Sequence, residues 1–216
     1  DPVRGLIPRN VNNDFYWNAK NAAADSYPFM VLSSFYTDRA LFNSRMKEML
    51  ATEQRLANRI GMLPDDYVFE TKSFRVPEPK LDDIIFGASE YAKDGLVPLT
   101  ELLGPSPWSD RMLQMLDEIL AHATYDTEVG KLPSTSHEVC GDLMQTLSRM
   151  YWMTKKDQYL DAAFQIAAYF FEHHPPEQTD QLRLDDHGCE VIGGLSEVYY
   201  IVAQIDPERR ERWKPA

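Results

Sequence analysis

Apolar residues recur at three- and four-residue intervals through most of this chain, and the interruptions fall at regular places. From Asn21 to about Tyr36 the apolar positions fit one helix, which Thr37-Asp38 interrupts. Leu41, Phe42, Met46, Met49, Leu50 and Leu56 then predict a second helix running to Gly61, so the two form a helical hairpin. The unit returns three times. A helix from about Phe86 to Leu103 ends at Gly104-Pro105-Ser106-Pro107, and Ser109 or Asp110 caps a partner bearing Met112, Leu113, Met115, Leu116, Ile119 and Leu120. Glu138 to Met153 turns at Thr154-Lys155-Lys156-Asp157 into a helix from Tyr159 to Glu172. The last unit begins at Glu190 and turns at Asp206-Pro207, so its second helix is barely started.

Each unit carries a polar pair four residues apart: Asn21 and Asp25, Glu90 and Asp94, Glu138 and Asp142, Glu190 and Gly194. Residues at that spacing share a helix face, and the pattern places each pair near the start of an apolar helix. Positions 21, 90, 138 and 190 lie 69, 48 and 52 residues apart, and a period of about 50 with two helices per unit marks arrays whose units bury their apolar faces on one another. A Pro-punctuated insert between Leu63 and Lys80 lengthens the first interval. Within it, Tyr67 to Glu70 and Ser73 to Val76 predict a β-hairpin turned at Thr71-Lys72, near 67–76. Small residues (Ala22, Ala23 and Ala24; Gly87 and Ala88; Gly188, Gly193 and Gly194) gather at the starts of three first helices. Small residues let helices approach closely, as in an inner ring.

The 216 residues suit a single domain. The expected layout is an extended arm over 1–15, rich in Asn, Arg and Pro, and one all-α helical-hairpin domain over 16–216. A net charge of -12 argues against sequence-independent binding to nucleic acid or an anionic membrane, both of which need clustered cations. No stretch approaches the 18 or so apolar residues of a membrane span. Cys140 and Cys189 each lie within two residues of a repeat glutamate and would approach if the repeats pack side by side; as free thiols they read as small buried hydrophobes. The chain opens on Asp1, so localisation stays open, with a secreted or periplasmic setting favoured.

The line from Tyr16 to Phe29, Tyr-Trp-Asn-Ala-Lys-Asn-Ala-Ala-Ala-Asp-Ser-Tyr-Pro-Phe, and the Thr154 to Tyr169 stretch with its Thr-Lys-Lys-Asp-x-Tyr-Leu turn resemble the (α/α) toroid. This is the six-hairpin fold shared by many glycoside hydrolases and by the helical domains of several polysaccharide lyases. The resemblance spans about residues 16–216 and rests on architecture rather than on a catalytic signature. It implies a substrate cleft at the end of the barrel where the inner helices begin. Only seven or so helices are readable, fewer than six hairpins require, so the expectation is a partial toroid completed by the rest of a longer chain or by a homo-oligomer.

That end of the helices carries Tyr16, Trp17, Asn18, Asn21 and Asp25; Glu90, Tyr91, Lys93 and Asp94; His137, Glu138 and Asp142; and Asp185, Asp186, His187 and Glu190. Aromatic rings stack on sugar faces, while carboxylates, amides and imidazoles bind hydroxyls. Glycoside hydrolysis needs one carboxyl as acid and a second as base or nucleophile. Glu138, Glu190 and Asp25 are the candidates, with His137 and His187 beside two of them, and an oligo- or polysaccharide is the expected partner. The plainer role for such acids is to offset helix dipoles. A lyase would instead need groups that neutralise a uronate, drawn from Asn18 or Asn21, Tyr91, Lys93, His137, Arg183 and His187. A non-catalytic glycan- or protein-binding repeat module is the third reading. No His-Glu-x-x-His pattern, phosphate loop or Gly-x-Ser-x-Gly is present, so neither a metal nor a cofactor is expected.

Overall fold

A computed structural model describes residues 5–10, 15–178 and 186–214, the side chain of Asp186 excepted. Arg183, Asp185 and much of the N-terminal arm lie outside the described residues. The fold is all-α with short β-hairpins, and no described helix is long and apolar enough to cross a membrane. The chain forms two compact units, Asp1–Ala121 and His122–Ala216.

In the first unit, helix α1 joins a π-wound segment, Ala19–Ser26, to Tyr27–Thr37. Helix α2 runs through Arg39–Leu41, Phe42–Met46 and Lys47–Ala57. Helix α3 combines Leu81–Glu90, a second π-wound segment Tyr91–Leu96, and Val97–Leu103; α4 is Pro107–Ala121. Asn18 starts α1, its Oδ1 accepting from the backbone N–H groups of Asn21 and Ala22 at 3.3 and 3.0 Å, which satisfies two orphan donors. The insert forms the expected hairpin: β4 (Tyr67–Val68) pairs antiparallel with β5 (Ser73–Phe74), and Lys72 takes positive φ in the turn. Strand β1 (Tyr16–Trp17) extends it to three strands by pairing with β4, while β2 (Asn58–Ile60) and β3 (Leu63–Pro64) pair beside them.

The second unit opens with a hairpin the apolar pattern does not show, β6 (Tyr125–Thr127) with β7 (Gly130–Leu132). Helix α5 is His137–Thr154, ended by Lys155 in the left-handed region. Helix α6 is Asp157–Ala168 continued by Tyr169–His173, and a 3-10 turn, Asp186–Cys189, leads into α7, Glu190–Ile205. The short α8, Pro207–Arg212, ends the hairpin begun by α7, as the sequence suggested.

Both units share one packing rule. The first helix of each hairpin packs on the first helix of the next, α1 on α3 and α5 on α7. Small residues make this possible. A Cβ on Gly95 would lie 2.9 Å from the Ala23 carbonyl, and one on Gly141 would lie 2.2 Å from the Glu190 carbonyl carbon. The neighbours Gly141–Glu190, Gln145–Gly193 and Arg149–Glu197 advance together along both helices, so α5 and α7 run parallel. Second helices meet likewise: Trp108 of α4 lies 5.2 Å from the Phe42 ring of α2, and Trp213, just past α8, stacks at 5.0 Å on Phe171 of α6.

The first unit also buries charge. Arg111, fully enclosed, donates to both oxygens of the buried Glu53, to the Met62 carbonyl at 2.8 Å and to Asn58 Oδ1 at 2.8 Å. Beside this network Tyr27 donates to the Met46 carbonyl at 2.6 Å and accepts from Trp108 Nε1 at 2.7 Å.

Two stability predictions follow from these contacts. Replacing Gly141 with Ala forces the backbones of α5 and α7 apart and should cost about 1–3 kcal/mol, read as a lower urea midpoint; an unchanged midpoint would refute the close-packing account. Arg111→Met strands the Glu53 charge and should cost about 3–5 kcal/mol. Burial pushes the Glu53 carboxyl pKa up from its ordinary value of 4.5, and Arg111 pulls it back. Without Arg111 the folded state holds a proton that the unfolded chain releases, so the variant loses stability as pH rises. Its deficit against the parent protein should therefore shrink as pH falls toward 4.5, measured by urea titration across pH.

Candidate functional site

The parallel register of α5 and α7 brings both helix starts to the same end of the second unit. Glu138 sits in the first turn of α5 and Glu190 opens α7. Both stand in the first turn of their helices, where a carboxylate offsets the helix dipole. Glu190 also reaches its neighbour: Gln145 Nε2 of α5 donates to Glu190 Oε2 at 2.7 Å. Glu138 Oε1 lies 3.4 Å from His187 Nδ1, presented by the 3-10 turn that precedes α7. Both carboxyls are partly exposed, whereas Asp142, one turn further along α5, is fully buried. Gly141 is the reason these contacts exist, because a side chain there would hold the backbone of Glu190 away from α5. Asp186 begins the same 3-10 turn.

His137 goes elsewhere. Its ring stands edge-on to Phe170 of α6 at 5.4 Å, and it lines an open groove with Thr135, Tyr169, His173 and His174. That groove, about 290 Å³, adjoins another of about 420 Å³ that includes Asp126 and Glu128 of the β6–β7 hairpin. His174 stacks on Tyr169 at 4.2 Å and faces Glu128 at 3.4 Å. Burial, with the Cys140 and Glu128 charges adding to it, raises the Tyr169 phenol pKa.

The candidates in the first unit are mostly packing residues. Trp17 is buried edge-on to Tyr91, and buried Tyr16 accepts from Arg75 at 3.1 Å while the guanidinium covers its ring. Neither ring offers a face for stacking on a sugar. Asn18 is spent on the helix cap and on Asn21 Oδ1, which it reaches at 3.0 Å and to which Arg9 also donates. Asp25 is exposed while Ala22 to Ala24 are buried. Glu90 and Tyr91 differ most from expectation: α3 starts at Leu81, so both are deep in the helix rather than at its start. Tyr91 is fully buried, its phenol pKa driven well up by desolvation. It faces a cavity of about 10 Å³ with Tyr27 and Glu53, room for about one water and not for a sugar.

Two residues the repeat did not single out belong to this description. Gln145 is the link between α5 and Glu190, and it lies two helical turns after Glu138, outside the four-residue pairs. Gly141 lies between Glu138 and Asp142, the only glycine in that stretch, and that was the available signal. Among known proteins, no family model and no curated protein matches this chain.

The cysteines are both free, Cys140 buried and Cys189 exposed. Burial, aided by the Asp142 charge, pushes the Cys140 thiol up to about 12, and its Sγ donates to the Ser134 carbonyl at 3.2 Å. Iodoacetamide should therefore label one thiol in the native protein, at Cys189, and both after denaturation, as read by peptide mass spectrometry. Native labelling at Cys140 would contradict this burial.

Proposed function

We propose that this chain is a carbohydrate-active protein of the glycoside-hydrolase kind, built on (α/α)-toroid architecture, with Glu138 and Glu190 as its working carboxyls and an oligo- or polysaccharide as substrate. The observation that carries the reading is one pair of carboxyls with unlike partners, set at the same end of two parallel first helices. Glu190 Oε2 accepts from Gln145 Nε2 at 2.7 Å, which fixes the orientation that a base or nucleophile needs toward its substrate. Glu138 Oε1 lies 3.4 Å from His187 Nδ1, so the carboxyl assigned as the acid has a different neighbour. Two acids in different surroundings is the division of labour that glycoside cleavage demands. The packing of first helix on first helix in both units is what an inner layer of such a fold requires.

Glu138→Gln and Glu190→Gln should each lower turnover of a responsive polysaccharide by about 10²–10⁴-fold with the thermal midpoint held. The parent protein should release reducing ends without ultraviolet-absorbing unsaturated ends. Appearance of that absorbance would assign a lyase, and binding without either product a non-catalytic module. Lost thermal stability with turnover intact would return both glutamates to a structural role.

A further inference from the structure

Further along α5 and α7 from the two glutamates lies an open groove of about 340 Å³, lined by Ser148, Arg149, Trp152, Ser196, Glu197 and Tyr200. Ser148 is ten residues past Glu138, roughly 15 Å along the helix at about 1.5 Å per residue. We propose that this groove is a binding subsite for a neutral oligosaccharide, separate from the Glu138–Glu190 end. The choice of ligand class rests on the carbohydrate reading above.

Three features carry the proposal. Trp152 and Tyr200 are 40% and 63% exposed, although the other tryptophans, Trp17, Trp108 and Trp213, are 3% exposed or less. Exposed aromatic rings beside hydrogen-bonding groups are what a pyranose face stacks on. Second, Arg149 and Glu197 form a forked ion pair, with Nε at 3.1 and 3.3 Å from the two carboxylate oxygens and the terminal nitrogen at 2.7 Å. The charges of the six lining residues cancel, which leaves a polar wall that offers partners to hydroxyls. Lys155 covers one face of the Trp152 ring at 4.2 Å, so the proposed sugar stacks on the opposite face of Trp152 and on Tyr200. Third, Ser148 is 1% exposed, and its hydroxyl has no hydrogen-bond partner among the described residues. A buried hydroxyl in the wall of a groove is costly unless something satisfies it, and a sugar hydroxyl does so.

The chain has four tryptophans, and only Trp152 is open to solvent, so acrylamide quenching of the native protein reports this groove directly. The probes are cellohexaose, xylohexaose, mannohexaose and maltohexaose, with trigalacturonate as the anionic comparator. At millimolar concentration at least one neutral probe should halve the quenching constant, while trigalacturonate leaves it unchanged. Tyr200→Ala, at an exposed position, should weaken that protection by about tenfold, the upper end of one stacking contact. Glu138→Gln and Glu190→Gln should leave it intact. Absence of protection by every neutral probe, equal protection by trigalacturonate, or unaltered protection in the Tyr200 variant would each overturn the subsite. Protection without any turnover would sink the hydrolase reading alone, and turnover without protection the subsite alone.

Discussion

The contact on which the second unit depends is the one between the Gly141 backbone of α5 and the Glu190–Val191 backbone of α7. Two helices carrying ordinary side chains stay apart by the thickness of those side chains. With no Cβ at Gly141 or Gly194, the main chains meet directly, and a single methyl group at position 141 would overlap peptide atoms that have no room to move. That approach brings Glu190 within reach of Gln145 and sets the parallel register that pairs Arg149 with Glu197. The acid pair at one end and the aromatic groove further along are consequences of the same crossing.

The first unit uses the same device less severely, with Gly87 against Ala19 and Gly95 against Ala23. Its own signature is the enclosed Arg111–Glu53 network between α2 and α4. Two buried charges cost more to desolvate than an apolar pair, and they are tolerated only with donors and acceptors satisfied, here by Asn58 and the Met62 carbonyl. The network ties the second helices to the β2–β3 segment, because Asn58 belongs to β2 and Met62 to the turn that follows.

The helical hairpins were legible because each depends on local periodicity and turn chemistry. The turns after Thr154 and before Pro207, the short final helix and the hairpin across Thr71-Lys72 all appear where the apolar pattern breaks. The four-residue pairs were legible as a repeat but not as equivalent places. Glu90 lies deep in α3 because the helix begins at Leu81, just past Pro77 and Pro79, and the π-wound segments at Ala19–Ser26 and Tyr91–Leu96 change which residues share a face. Charged residues on apolar stripes, Glu53 among Met49, Leu50 and Ala57 and Arg111 beside Met112 and Met115, were a visible sign of the buried network. The β6–β7 hairpin had no such sign, its strands being too short and too polar.

The sequence by itself determined the class of the fold, the number and order of the helical hairpins, and the concentration of small residues in their first helices. These follow from spacing, propensity and turn residues, which act over a few positions. Only the tertiary structure decided which polar residues are available for chemistry. Trp17 and Tyr91 are candidate ligand-stacking rings in sequence and are enclosed by packing; Trp152 and Tyr200 are not among the candidates and are open. Exposure is set by what each helix meets across its neighbours, and a period of about 50 residues carries no information on that. With the close approach at Gly141, two of the repeated positions gain partners from outside the repeat, Glu138 beside His187 and Glu190 beside Gln145.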